Sequence, residues 1–455
     1  MEPFRNHKID YTKVFIATGL VFLLSALLFG LAGALEYILP GFWRDTFSFA
    51  KIRPLHVSSA VFWILTTAIG SVLYFLKEHN NQNLKKLPYV KWMFYLFAIS
   101  FVGILISYCF GVFGGREYWE FHPAFSIPIT MAWIIFIIVF LSNFKTLKNQ
   151  PVYIWMWFTG VFFFLFTYVE SNLWLIPDIR NHLIKDMTIQ WKSYGSMVGS
   201  WNMLIYGSSI YLMDKIAGNK KYSFSSIAFW LYFLGLFNLM FNWGHHIYTL
   251  PTQPYVKHIA YVVSMTELFI FGRIIYFWKA SVTEAKKNFH IHSFRFLAAA
   301  DMWVFLTLGL AIAMSVPALN LYMHGTHTVV AHTMGATIGI NTMLLLAFAS
   351  ENIGIRKKDE KVMKKGYWVA NISLLVFWIS LIVAGFLKAY WQFNQLEIAY
   401  GEIINNLRPW FYVFFVSGLF LVIGLFMIII PILRKVLFRF LNNRLATDNR
   451  KSICG

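Results

Sequence analysis

The chain is poor in charge, in acidic residues and in cysteine. Asp, Glu, Lys and Arg make up 13% of its 455 residues, and 58% are hydrophobic. Soluble globular domains carry roughly a quarter charged residues, so a soluble enzyme is excluded, and so is a disordered chain. The only cysteines are Cys109 and Cys454, too few for a disulfide framework. No C-x-x-C-H occurs, which excludes a haem attached covalently by that route. No low-complexity segment, long linker or soluble domain interrupts the chain. The first apolar segment is too long for a cleavable signal peptide and leads into further spans.

What the chain has in abundance is apolar runs and aromatic side chains, the latter 19% of all residues. A membrane-crossing helix takes about 20 residues. Twelve such spans are expected near 12–34, 55–76, 92–113, 123–144, 152–170, 189–213, 226–249, 256–278, 296–319, 325–350, 367–390 and 410–433. The expected fold is an all-α polytopic membrane protein of one domain, 1–455. A short N-terminus, 1–11, and a basic tail, 434–455, would both be cytoplasmic.

The net charge of +19 would suggest nucleic acid if it were spread evenly, but it is not. With the N-terminus inside, 28 of the 39 Lys and Arg fall on inner segments. This is the positive-inside pattern. The basic charge reports topology and attraction to anionic lipid, and no nucleic-acid partner is expected.

Of 13 His, six fall within or at the lips of spans: His56, His245, His246, His324, His327 and His332. An ionisable group inside a membrane is costly unless it has partners or a function. Alternating span directions put these residues at similar depth near the outer face, on three different helices. Each alone reads as a hydrogen-bonded core His; together they read as ligands for haem iron, copper or zinc. His245 and His246 lie about 100° apart on a helix and can meet on one metal only from the edges of a shared face. His332 and Met334 lie about 200° apart and would serve two different cofactors. Aromatic-rich helices with axial ligands on opposing faces suit haem.

Arg53-Pro54-Leu55-His56, Gly115-Arg116-Glu117-Tyr118, Gly244-His245-His246, Glu267, and His324-Gly325-Thr326 followed by Ala331-His332 occur in an order and spacing that resemble a known family. It is the large catalytic subunit of bacterial cytochrome c-dependent nitric oxide reductases, within the haem–copper oxidase superfamily. The resemblance runs over essentially the whole chain and implies a twelve-helix bundle like subunit I of those oxidases. It implies His56 as an axial ligand of a low-spin haem b and His332 as proximal ligand of a high-spin haem b. His245 and His246 would hold a non-haem iron or copper. Glu267 matches the family's buried acid, a proton relay. Glu117 matches the glutamate that helps bind calcium beside the haem propionates. Charge suggests Arg116 for a propionate, and His324 for another contact there. The implied partner is a membrane-anchored cytochrome c subunit or another outer-face electron donor. The implied location is the bacterial inner membrane.

Two departures stand out. Met334 replaces the second His of the family's His-x-His, so His56/Met334 ligation is expected, which raises a haem potential. If Met334 is only apolar filler, that haem is five-coordinate, ligated by His327, or absent. The family's sixth span also carries a His-x-x-x-Glu metal motif. Here Gly195 and Gly199 stand in those places. Three readings follow. The site holds copper with Met197 or water, it holds no metal, or the chemistry has changed as in the related nitric oxide dismutases. The glycines also read as helix-packing positions. The expected activity is coupling of two NO to N2O at a centre of high-spin haem and non-haem metal fed by the low-spin haem b. Alternatives are NO dismutation, a haem protein that binds gas without turnover, and a haem-free transporter.

Overall fold

The computed structural model describes residues 9–144, 146–248, 250, 251, 253–263, 265, 283–395 and 397–451. Among these residues the regular structure is helical, apart from one isolated bridge between Arg116 and Trp119. In chain order the principal helices are α1 (Tyr11–Leu35), α2 (Phe49–His79), α3 (Leu87–Cys109), α4 (Ser126–Ser142), α5 (Val152–Glu170) and α6 (Leu183–Ala217). There follow α7 (Ser226–Phe241), α8 (Ile291–Ser315), α9 (His327–Ile353), α10 (Glu360–Asn394) and α11 (Tyr400–Lys451). Residues 254–263 are also helical.

Ten helical segments among the described residues are long and apolar enough to cross a membrane. Twelve were expected from the sequence. Of the other two, 189–213 lies within α6, a 35-residue helix. It is less apolar because it carries Ser193, Ser196, Ser200, Ser208 and Ser209, all buried inside the bundle. The span expected at 256–278 lies mostly outside the described residues.

Burial sorts the helices. The apolar stretch of α2 is 89% buried, that of α3 33%. A helix apolar on all sides belongs in a core, and α2 is the central post, packed on α1, α3, α6 and α9. Trp92, Ile99, Phe166 and Trp230 stay exposed on outer helices, as they would against lipid. Polar pairs tie the inner helices: Trp63 donates to Thr342 Oγ1 at 3.1 Å and Asn341 Nδ2 to Asn202 Oδ1 at 3.1 Å. Membrane interhelical hydrogen bonds are worth about 0.6–2 kcal/mol each. α6 ends at Gly218, whose φ of +68° is the left-handed cap that glycine adopts without a steric penalty.

α9 is not uniform. Residues His327–Met334 and Met343–Ile353 are α-helical, but Gly335–Thr342 between them is a π-helix. Such widened turns are rare and favour functional sites. The segment packs where Gly335 and Gly339 lack side chains: a Cβ at Gly339 would lie 2.5 Å from the Trp303 ring.

At the start of α1, Asp10 accepts hydrogen bonds from Thr12 at 2.6 Å and from Lys77 of α2 at 2.9 Å. Burial pushes its carboxyl up, but these bonds and the charges of Lys77 and Lys13 outweigh burial and hold it below its ordinary value. The folded pKa is thus below the unfolded one. This tie stabilises the protein above the ordinary carboxylate value and is lost as pH falls through the folded value. Thermal unfolding of wild type and Asp10→Asn from pH 7 to pH 3 should show the two curves converging at the acid end. Parallel curves would remove the tie from the account.

Candidate haem and gas site

His56 lies two turns into α2, where the structure fixes one ring nitrogen. Its Nδ1 donates to the Ala26 carbonyl of α1 at 2.7 Å. A carbonyl can only accept, so the proton is on Nδ1 and Nε2 keeps its lone pair. That is the arrangement of a metal-ligating imidazole with its second nitrogen anchored. The ring fits because residue 30 is glycine: a Cβ there would sit 2.8 Å from ring atoms.

His332 sits on the first α-helical part of α9, with Met334 closing that part. Its Nδ1 is buried without a hydrogen bond, and the main chain of Thr307 on α8 lies beside the ring. Met334 is half-buried against the main core. A buried imidazole is costly unless partnered, and a metal is one partner. An anchored imidazole on α2, a thioether on α9 and a half-buried imidazole on α9 fit two haem irons chemically.

His245 and His246 are on a 3-10 turn, Asn242–Ile247, that follows α7. This differs from the α-helical placement expected, and it spreads successive side chains by about 120° instead of about 100°. Their ring centroids are nevertheless 4.1 Å apart, and Trp191 of α6 stacks on His246 at 4.9 Å and 10°. His332 and His324 lie near enough for their charges to act on His246. His332 lies on α9, the His245–His246 pair on the turn after α7, and His324 in the loop before α9. His324 is in that loop, its N–H donating to the Asn320 carbonyl at 2.7 Å. Burial pulls it below its ordinary value.

The expected third and fourth metal ligands are replaced by contact. A Cβ on Gly195 would be 2.8 Å from Trp243 Cβ and 3.3 Å from its Cα. A Cβ on Gly199 would be 3.0 Å from Leu239 Cβ and 3.2 Å from its Cα. Ser196 between them donates to the Leu239 carbonyl at 2.7 Å. Among the described residues, no three His, Cys, Asp or Glu side chains converge as a metal site. Met197 is buried on α6, and Glu267 lies outside the described residues, as does Cys454.

The loop Gly114–Phe121 places the remaining candidates. Arg53 of α2 is ion-paired with Glu117 and, at 2.7 Å, with Glu120. Glu117 therefore faces a guanidinium, and Glu120 was not singled out from sequence. Burial pushes Glu120 up, against the pull of Arg53. Arg116 pairs with Asp186 of α6 at 2.8 Å and lies over the Trp174 ring at 4.9 Å. His327 packs between Tyr37 and Phe411, its Nδ1 buried without a partner. It lines a cavity of about 490 Å³ with Phe49, Lys388 and Tyr400. Ala26, Gly30 and Trp191 also escaped sequence reasoning, since a carbonyl, a missing side chain and a stacked indole carry no spacing signature.

Comparison with known proteins places the chain in a family. Residues 10–420 match the family described as cytochrome c and quinol oxidase polypeptide I. A nitric oxide reductase subunit of Stutzerimonas stutzeri is 21% identical over 449 residues, 91% of this chain and 92% of that one. The Cbb3-type cytochrome c oxidase subunit CcoN1 of the same organism is 21% identical over 82% of each chain. Cytochrome c oxidase subunit 1 of Rhodobacter capsulatus is 22% identical over 80% of this chain and 71% of its own. A haem–copper terminal oxidase dimer solved by cryo-EM superposes with a TM-score of 0.71 at 13% identity, over 94% of this chain and 84% of that one. With its family model matched from Asp10 to Phe420, this multi-pass membrane chain belongs to the haem–copper oxidase subunit I family.

Proposed function

We propose that this chain is the catalytic subunit of a respiratory haem oxidoreductase of the nitric oxide reductase type. It would join two NO, two electrons and two protons into N2O and water. The observation that carries this reading is the close pair of His245 and His246 rings, 4.1 Å between centroids with Trp191 stacked on one of them, on a chain aligned along nine-tenths of its length with a subunit of a nitric oxide reductase. Haem b held by His56 with Met334, and a second held by His332, would supply electron relay and the iron that binds the gas. The chain's own part is to orient and exclude. Ala26 fixes the His56 tautomer, Gly30 gives the ring its place, and Trp191 clamps His246. Arg116 would turn to a haem propionate only by leaving Asp186, and His324 is the nearer candidate for that contact. Glu117, with Glu120 close by, is the carboxylate we assign to a calcium ion. Glu267 is assigned the proton relay. We assign twelve spans from the apolar runs, cytoplasmic ends from the distribution of basic residues and a bacterial inner membrane from the relatives. A membrane-anchored cytochrome c subunit, or another donor at the outer face, would supply electrons.

The packing at Gly195 and Gly199 favours a second reading, in which haem and gas binding are kept but the reaction is altered. It would be NO dismutation to N2 and O2, or binding without turnover. The test is NO consumption by the purified complex with an electron donor, after haem loading is measured. The expected result is two haems b per chain and donor-dependent N2O. Oxygen formed from NO without a donor would establish dismutation, and full loading with no NO consumed would leave a protein that only binds gas.

A further inference from the structure

We propose that His245 and His246 hold no metal and instead form an imidazole pair that hydrogen-bonds a diatomic gas bound at the haem of His332. The inference rests on the haem-binding part of the proposed function and deepens it. Three observations carry it.

The first is steric. The places where metal ligands would rise from α6 are closed by the chain of α7 and the turn after it: the positions a Cβ would take at Gly195 and Gly199 lie 2.8 and 3.0 Å from Trp243 and Leu239. Both neighbours include main-chain Cα atoms, which cannot swing aside. The second is the donor set. Two imidazoles alone hold a divalent metal poorly, since even open catalytic sites use three protein ligands. No third His, Cys, Asp or Glu joins them among the described residues. The third is the shape of the pair. Two imidazoles on one tetrahedral metal, with bonds of about 2.0 Å, put their ring centroids about 5 Å apart. Here they are 4.1 Å apart, and His246 is also held in a stack by Trp191. The stack favours a fixed ring that presents an edge N–H over a ring that wraps a cation.

An imidazole N–H aimed at developing negative charge on a bound gas does by hydrogen bonding what a cation does by coordination. Preorganised donors of this kind act strongly in a dry site. In the coupling of two NO, the pair would polarise the N–O bonds as two electrons and two protons arrive and water leaves.

The experiment uses the purified, haem-loaded complex. Iron, copper and zinc are counted per haem, and the C–O stretch is recorded with carbon monoxide on ferrous haem. The expected result is one iron per haem with no further metal. In His246→Leu the C–O stretch should rise and CO should leave faster, with metal content unchanged. His246→Gln, which keeps a donor, should fall between the two and covers the case in which His246→Leu fails to load haem. An extra equivalent of iron or copper that disappears in His245→Leu, in Met197→Leu or in Glu267→Gln would overturn the proposal, and so would a C–O stretch blind to both His246 variants. A preparation without any haem would overturn the proposed function and this inference together, while haem with a third metal overturns this inference alone.

Discussion

Replacing His332 by Ala is expected to leave one haem b per chain where the proposed function gives the wild type two. His332 is half-buried, with its Nδ1 closed off from solvent beside the main chain of Thr307. Removing a proximal ligand leaves iron with no protein bond on that side. Pyridine haemochrome counts the loss directly, and two haems retained in His332→Ala would end its assignment as a ligand. His56→Ala should remove the other haem instead, with loss of the sharp low-spin bands. Met334 refines the same test. Met334→His should keep that haem and lower its reduction potential, because thioether ligation holds a haem at higher potential than imidazole does. Met334→Leu should turn it high-spin. An unchanged spectrum in Met334→Leu would reduce Met334 to packing.

Putting the family's metal ligands back should fail. The double variant Gly195→His, Gly199→Glu is expected to lose stability and gain no metal. Overpacking a dense interior costs typically about 1–3 kcal/mol for small additions. Here whole side chains are driven at the Cβ atoms of Trp243 and Leu239, at 2.8 and 3.0 Å, with their Cα atoms at 3.3 and 3.2 Å behind them, so the cost should lie at or above the top of that range. Gly199→Ala alone isolates the contact from the chemistry, and should lower the unfolding temperature in detergent measurably. A double variant that is as stable as wild type and binds one extra iron would show that α6 and α7 part readily.

Those two glycines also show what the sequence could and could not convey. Their emptiness of ligand was legible, and so was the reading as packing positions. Which helix filled the space was not, because Trp243 and Leu239 have no periodic relation to residues 195 and 199. The bundle itself was legible wherever an apolar run met lipid or a dry core, as in α1 or α11. α6 shows the limit of hydropathy: its serines face other helices, so it stays buried while looking too polar to cross a membrane. The histidines announced themselves by type and depth. Their anchors did not, since the Ala26 carbonyl belongs to every residue alike and Gly30 acts by having nothing. Glu117 was legible as a conspicuous acid in the loop before α4, but its pairing with Arg53 needed the loop to fold back onto α2.

The π segment of α9 has a consequence for how this helix divides its labour. An i→i+5 turn winds more slowly than an α-turn, so eight residues of it reset the angular phase of everything beyond. The part bearing His332 and Met334 and the part from Met343 onward, which is buried almost throughout, point their faces by independent clocks. The widened turn thus sets a fixed angular offset between the stretch that carries His332 and Met334 and the stretch from Met343 that packs in the core.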